Sequence, residues 1–378
     1  MDRKRFIRAA IIAALLYPYF AFSARAQRRF LNADRPRILV VPQLTRIGDL
    51  VCATPVFRAI KEKYPRAYLG VAISKKSAGI IKNNPRTDEI FYIEDADFLR
   101  KIKARRFDYG FALTASPLPS PFFLLASIPR RIKTIVAPRS VAEICTDWMN
   151  TGRVRYEHHT YLPRHYLKLL EVMGIHNPDE KKEVWQTEEG KRKTKELLQT
   201  HGISRNDCIV GISVTAGNIV KEWPRERFAE LADWLITERR AFIFFIGSAA
   251  DETALKETQT MLKNPMRSAI ITDFTIEELP ALLAFLKLFI SVDTGLAYIA
   301  DALGIPLVDI SGPCDTREQP PQGKHAICVA PPGKKPTSFV MKSPGSWDER
   351  RAAVLAVSAL MVKNAILSLH ENNLYHQL

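Results

Sequence analysis

The chain has 378 residues, more than one hydrophobic core usually serves, and its apolar fraction of 47% and charged fraction of 25% exclude a disordered or fibrous protein. Five scattered cysteines with no C-x-x-C pair exclude a disulfide framework and a structural cysteine–zinc site. The net charge of +15 calls for anionic partners, whether nucleic acid, an acidic membrane face or phosphorylated small molecules, and a dense basic cluster (Arg3, Lys4, Arg5, Arg8, Arg25, Arg28, Arg29, Arg35) lies at the start.

Residues 6–22 form an apolar run, FIRAAIIAALLYPYFAF, interrupted by Pro18 and basic on both flanks. A spanning helix needs about 20 apolar residues and usually carries its basic excess on one side only. The basic start, apolar middle and Ala24-Arg25-Ala26 also fit a signal peptide. The reading adopted is a membrane-associating segment over residues 1–35, a helix or helical hairpin on an anionic inner face.

Residues 37–42 (RILVVP) read as a buried parallel strand, β-rich and bounded by prolines. A helix follows over 51–64, a strand over 68–74, a helix over 76–83, a strand over 89–93, a helix over 98–105 and a strand over 109–114. This alternation at short spacing predicts a parallel sheet covered on both faces. Residues 117–121 read as a Pro/Ser loop, and no period is legible from there to about 160. Helical spacing returns over 161–173, closed by Gly174. A charged stretch over 180–195 opens a second half that repeats the alternation. Its strands are expected at 208–214, 241–247, 268–272, 288–292 and 306–311. Its helices are expected at 226–238, 251–262, 275–286 and 295–303. A long Pro/Gly-rich passage follows over 312–345, of which 331–345 reads as a linker or a loop over a cleft, and one strong helix over 348–369 ends the pattern.

Four loops at strand ends carry the polar groups. The first, Gln43 to Leu50, holds Thr45, Arg46, Gly48 and Asp49 after the first strand, where ligands bind in doubly wound sheets. There Asp49 is either an N-cap or a functional carboxylate. The second, Ser213 to Asn218 with Lys221 beyond it, can bind phosphate through Thr215, backbone N–H groups and the lysine ammonium, or be an ordinary turn. Trp223-Pro224 reads as packing and helix initiation. The third, Asp293-Thr294-Gly295, opens a helix whose positive end suits a diphosphate. The fourth contains Gly247 and Ser248, which line a nucleotide or simply turn the chain. Asp95 and Asp97 have the D-x-D spacing of metal-dependent sugar transferases, but acidic turns of this kind are frequent, so no metal is expected. His158, His159 and His165 have no matching set of acidic or cysteine ligands nearby and read as surface or acceptor-side groups.

Together these segments resemble glycosyltransferase family 9, the lipopolysaccharide heptosyltransferases. The resemblance runs from RILVVPQLTRIGDLVCATPVFRAIKEKYP through HHTYLPRHYLKLLEVMGI, KEWPRERFAELADWL and FFIGSAADE, and is strongest at SVDTGLAYIADALGIPLVDISGP. It covers about residues 37–330 in order. It implies a GT-B fold, two facing Rossmann-like doubly wound domains: an acceptor-binding domain over 36–178 and a nucleotide-sugar domain over 179–345. The terminal segment 346–378 would pack back across both. It implies inverting, metal-independent transfer, usually from ADP-heptose, to a lipid-linked acceptor at the inner membrane, with no cofactor. The family's proposed base maps to Asp49, and its donor-binding positions map to Thr215, Lys221, Asp293, Thr294 and Gly295. Tyr298 stands where many members carry histidine; it can donate to phosphate but carries no positive charge near neutral pH. The expected place of action is cytoplasmic, peripheral to the inner membrane through the N-terminus. The alternatives are transfer of another sugar to a different surface glycan, or a catalytically silent glycan-binding homologue. No nucleic-acid module accompanies the charge.

Overall fold

The computed structural model describes residues 34–204, 207–340 and 346–371, together with Ile11 and Leu15. The chain divides into two units, Met1–Lys181 and Lys182–Leu378. In the first, the apolar runs become β1 (Arg37–Val41), β2 (Tyr68–Ile73), β3 (Glu89–Tyr92) and β4 (Tyr109–Ala112), joined by β5 (Arg130–Ile135) and β6 (Gly152–Arg155). All are parallel, in the order β3-β2-β1-β4-β5-β6. The central strands are covered on both faces, so they read as continuous apolar runs and not as alternating ones. Sequence pattern missed β5 and β6 because RRIKTI and GRVR carry five cations between them.

The helices of this unit are α1 (Ile47–Lys63), α2 (Phe98–Ala104), α3 (Pro119–Leu125), α4 (Val141–Thr146) and α5 (Leu162–Lys168). The expected loop over 117–121 is the start of α3, where Pro119 occupies a first-turn position that needs no N–H donor. The helix expected over 76–83 shrinks to one 3-10 turn, Ala78–Ile80. After α5 the chain tightens into a 3-10 segment, Leu169–Met173, which ends at Gly174 with φ 70°, a left-handed conformation that suits glycine.

The second unit repeats the strand order. Its strands are β7 (Ile209–Ser213), β8 (Phe242–Ile246), β9 (Ser268–Ile271), β10 (Leu288–Val292), β11 (Leu307–Ile310) and β12 (Ala326–Cys328). They run parallel as β12-β11-β10-β7-β8-β9. β12 lies inside the passage expected to be irregular; three residues at a sheet edge leave little pattern to read. The helices are α6 (Glu188–Thr200), α7 (Arg225–Arg239), α8 (Glu252–Thr260), α9 (Leu279–Leu283) and α10 (Gly295–Leu303). α6 begins at Thr187, whose side chain accepts from Gly190 N. α9 is shorter than the helix expected over 275–286: Thr275 to Glu278 form a turn closed by Thr275 N donating to Glu278 Oε2 at 2.8 Å.

The single helix expected over 348–369 is two, α11 (Trp347–Ala356) and α12 (Ala359–Glu371). Side chains capture the backbone at the break. Trp223 Nε1 and Arg227 Nη1 donate to Val357 O at 2.8 and 2.6 Å, and Ser358 Oγ accepts from Met361 N at 3.2 Å. A carbonyl held this way is withdrawn from helical pairing.

The apolar N-terminal segment, residues 1–35, lies outside the described residues except for Ile11, Leu15, Asp34 and Arg35. Among the described residues no single helix is long and apolar enough to cross a membrane. The one candidate by length and composition is the bent pair Trp347–Ala356 and Ala359–Leu369, broken at 57° near the C-terminus. The expectation of membrane attachment through the N-terminus is corrected accordingly. Much of the pair's hydropathy serves packing, because Val354, Val357, Val362, Ile366 and Leu369 are buried in the second unit's core.

Candidate active site

In each unit the chain reverses direction across the sheet beside the first strand, between β1 and β4 and between β7 and β10. Crevices outside the carboxyl ends of strands at such switch points are where doubly wound sheets take ligands. The expected site residues cluster at these two places.

In the first unit, the loop leaving β1 carries Thr45 and Arg46 exposed and Gly48 half-buried. α1 begins four residues earlier than expected, so Asp49 is not its N-cap. Arg46 holds that position without a side-chain bond, and Asp49 lies in the first turn, 8% exposed. A carboxylate there is favoured by the helix dipole. α5 packs against α1, and its buried Tyr166 faces the carboxylate: burial first, then the Asp49 charge, hold the phenol well above its ordinary pKa. The loop after β4 is tied to the loop after β1 by Thr114 Oγ1 and Gln43 Oε1 at 3.1 Å.

The other candidates of this unit separate. Asp95 is paired with Lys75 at 2.9 Å and Lys101 at 3.0 Å, and Asp97 with Lys101 at 3.0 Å and Arg100 at 2.8 Å. The D-x-D carboxylates are thus engaged in ion pairs on the surface. His158 and His159 are exposed, with rings 5.4 Å apart. His165 departs from a surface reading: it is buried, its Nε2 lies 3.1 Å from Thr134 Oγ1, and burial lowers its pKa to about 4, leaving the ring neutral.

In the second unit, the loop leaving β7 turns at Asn218, whose side chain accepts from Val220 N at 3.2 Å, and one 3-10 turn, Ile219–Lys221, follows. Trp223 is buried beneath, as its packing role requires. The turn brings Lys221 Nζ onto Asp293 Oδ2, at the end of β10. Tyr298, one turn into α10, donates from its hydroxyl to Asp293 Oδ1 at 2.7 Å, and Cys314 Sγ donates to Oδ2 at 3.0 Å. Both oxygens are therefore occupied, as a buried carboxylate requires. Burial raises the Asp293 pKa, but the Lys221 charge and these hydrogen bonds outweigh it, and the group is held below the usual range. Burial likewise works against the Lys221 ammonium, yet Asp293 holds its pKa well above normal. The ring of Phe339 lies 4.1 Å from Nζ on another side.

Thr215, Thr294 and Gly295 are half-buried around this pair. Thr294 is the N-cap of α10 without a side-chain cap bond, which leaves first-turn N–H groups for a ligand. Gly247 and Ser248 follow the neighbouring β8. Ser248 is committed to a capping box with Asp251, its N and Oγ donating to Oδ2 at 2.7 and 2.5 Å. Below the cluster, burial and the Asp293 charge raise Asp309 to about 8, so it accepts the 2.6 Å bond from Ser311 Oγ as a largely protonated acid at neutral pH.

The family resemblance had assigned Lys221, Asp293 and Tyr298 to donor binding, and the structure brings the three together; Cys314, Phe339 and Asp309 were singled out by neither pattern nor resemblance. Both Cys314 and Phe339 lie in the Pro/Gly-rich passage, and Phe339 in the part of it taken for a linker or cleft loop. Gly312 starts that passage with φ 53°, and a Cβ there would lie 2.7 Å from Val354 Cγ2, so glycine lets the chain turn and pass α11. The sequence signal available was a small run, Gly312-Pro313-Cys314, directly after a strand.

Residues 98–345 match the family Glycosyltransferase family 9 (heptosyltransferase). Lipopolysaccharide heptosyltransferase 3 of Escherichia coli K12 is 23% identical over 283 residues, 71% of this chain and 80% of the relative. Lipopolysaccharide heptosyltransferase 2 of Salmonella typhimurium is 23% identical over 316 residues, 75% of this chain and 85% of the relative. Among solved structures, the glycosyl transferase family 9 protein of Veillonella parvula DSM 2008 aligns with a TM-score of 0.75 at 20% identity, covering 90% of this chain and 98% of that one. The E. coli ADP-heptose lps heptosyltransferase II aligns with a TM-score of 0.72 at 19% identity, covering 89% and 99%.

Proposed function

This chain belongs to glycosyltransferase family 9 and is a sugar-transferring enzyme of heptosyltransferase type; from that premise we propose that it moves a heptose from ADP-heptose to a lipopolysaccharide core or related lipid-linked acceptor, with inversion and without a metal. The observation that carries the reading is the ammonium of Lys221, fixed on Asp293 beside the uncapped start of α10.

Asp49 takes the proton of the acceptor hydroxyl. The acceptor oxygen bonds to the anomeric carbon as the bond from that carbon to the diphosphate oxygen breaks on the opposite face, so configuration inverts. ADP leaves with the electron pair. Lys221 and the first N–H groups of α10 stabilise the charge that grows on the leaving diphosphate, a task a metal performs elsewhere. Asp293, Tyr298 and Cys314 are positioning residues that hold Lys221.

A second reading, transfer from another nucleotide sugar, has one observation in its favour. Tyr298 replaces the histidine of many family members, and its hydroxyl is spent on Asp293. Calorimetric titration of the full chain with ADP-, UDP- and GDP-sugars tests both readings. Binding of ADP-heptose alone is the expected result, and preference for a UDP- or GDP-sugar replaces the donor while keeping the chemistry. Turnover is expected to survive chelation. Activity that vanishes with chelator and returns with a divalent cation would sink the metal-free mechanism and put His158 and His159 at the head of the ligand candidates.

A further inference from the structure

The passage after β11 builds a pocket that the residues assigned above do not explain. Its volume is about 170 Å³, and Thr316, Arg317, Lys334 and Lys335 line it around Cys314 and Asp315. Backbone bonds join its walls: Asp315 N donates to Thr337 O at 3.2 Å, and Thr337 N to Pro313 O at 2.7 Å. Ser338 Oγ donates to buried Glu318 Oε2 at 2.5 Å and anchors the far side. The pocket is thus a product of tertiary contacts and not of a tether running past the core.

Its charge is one-sided. The carboxylate of buried Asp315 is taken up by Arg317, whose Nε and Nη2 meet its two oxygens at 2.8 and 2.9 Å. That pair fixes the guanidinium in one direction. Lys334 and Lys335 are exposed at the mouth, and among the described residues neither ammonium is in an ion pair. Two uncompensated cations beside a fixed guanidinium attract an anion. The position is equally specific, because Cys314 forms part of the wall and donates from Sγ to Asp293 Oδ2 at 3.0 Å. The pocket borders the Lys221–Asp293 pair, yet it is small for a whole nucleotide.

We propose that this pocket is a second anion subsite of the donor-binding unit, taking a phosphate or carboxylate group carried by a sugar substrate. The inference rests on the transferase reading of the same unit and adds to it a charge requirement on the substrate. The anion has two sources, the diphosphate of the donor or a charged substituent of the acceptor.

The test is calorimetry on the full chain and on Lys334→Ala/Lys335→Ala, with inorganic phosphate and ADP as separate probes and Lys221→Ala as comparison. Both lysines are exposed, so the thermal midpoint of the double variant is expected to match the parent. Loss of two charge-assisted contacts is expected to weaken phosphate binding by about tenfold or more, while Lys221→Ala retains phosphate binding at the pocket. A parallel fall in ADP affinity assigns the pocket to the donor diphosphate. Retained ADP affinity with weakened phosphate binding assigns it to a charged group on the acceptor. Equal affinities of parent and double variant for both probes, or no phosphate binding by the parent, overturn the proposal. Failure of the transferase reading looks different: the parent would bind no nucleotide sugar and turn none over, whatever the lysine variants do with phosphate.

Discussion

In the first unit, the loops leaving β1 and β4 are tied by a neutral contact, Thr114 to Gln43 at 3.1 Å; in the second, the loops leaving β7 and β10 are tied by the ion pair of Lys221 and Asp293. The strand order is the same in both. The difference lies in what the backbone presents at the switch point. One crevice offers a carboxylate in the first turn of a long helix, suited to taking a proton. The other offers an ammonium locked in place by a carboxylate that is itself fully hydrogen-bonded, suited to receiving negative charge. A shared topology thus supplies location, and side chains on short loops supply opposite chemistry.

Replacing Asp49 by Asn sharpens this division most. Removing a general base costs on the order of 10²- to 10⁴-fold in rate. Turnover is expected to fall by that much while donor affinity, measured by calorimetry, stays near the parent value. Turnover like the parent's would remove Asp49 from the chemistry.

Asp293→Asn attacks the other crevice. It leaves the Lys221 ammonium without its counter-charge, and breaking a buried pair costs about 3–5 kcal/mol. Urea unfolding should show that loss, accompanied by weaker donor binding. Donor binding that improves in this variant would mean that Asp293 competes with the donor for Lys221 and does not position it.

The acid beneath the pair predicts a pH dependence. Asp309 has its folded-state pKa raised to about 8, well above an ordinary aspartate. The folded state therefore holds a proton that the unfolded chain releases near pH 4. Its stabilising contribution is present below that pH and is lost as pH rises toward 8. Relative to Asp309→Asn, which keeps a neutral group of similar shape, the parent should lose stability steadily over that window. A constant difference between the two melting curves across the same pH values would count against a protonated Asp309.

The smallest expected effect is Tyr298→Phe, which removes one hydrogen bond to a charged group, about 1.5–3 kcal/mol. Donor affinity should fall modestly and the fold should persist. Tyr298→His asks whether histidine at this position raises affinity for the proposed donor, ADP-heptose, and an improvement would show that tyrosine tunes donor binding.

Much of the architecture was legible in residue order alone. Nine of the twelve strands among the described residues were anticipated because runs such as RILVV and FIFFI are buried on both faces and so announce themselves without a partner. That the first two polar loops and the Asp293-Thr294-Gly295 turn follow strand ends was likewise readable, since each comes directly after an apolar run. The strands β5, β6 and β12 were not readable, because cationic or very short strands depend on neighbours for their pairing. Nor was the split of the final helix, which arises from Trp223 and Arg227 reaching more than a hundred residues along the chain to the same carbonyl. The sequence by itself determined that Lys221 and Asp293 exist on strand-end loops. Only tertiary structure decided that they meet, that Tyr298 and Cys314 complete the carboxylate, and that a Pro/Gly-rich passage becomes a pocket wall. The physical reason is one of range. Burial and local backbone preference act on neighbours in sequence, whereas an ion pair, a cation–π contact or a shared carbonyl joins residues whose proximity no local pattern records.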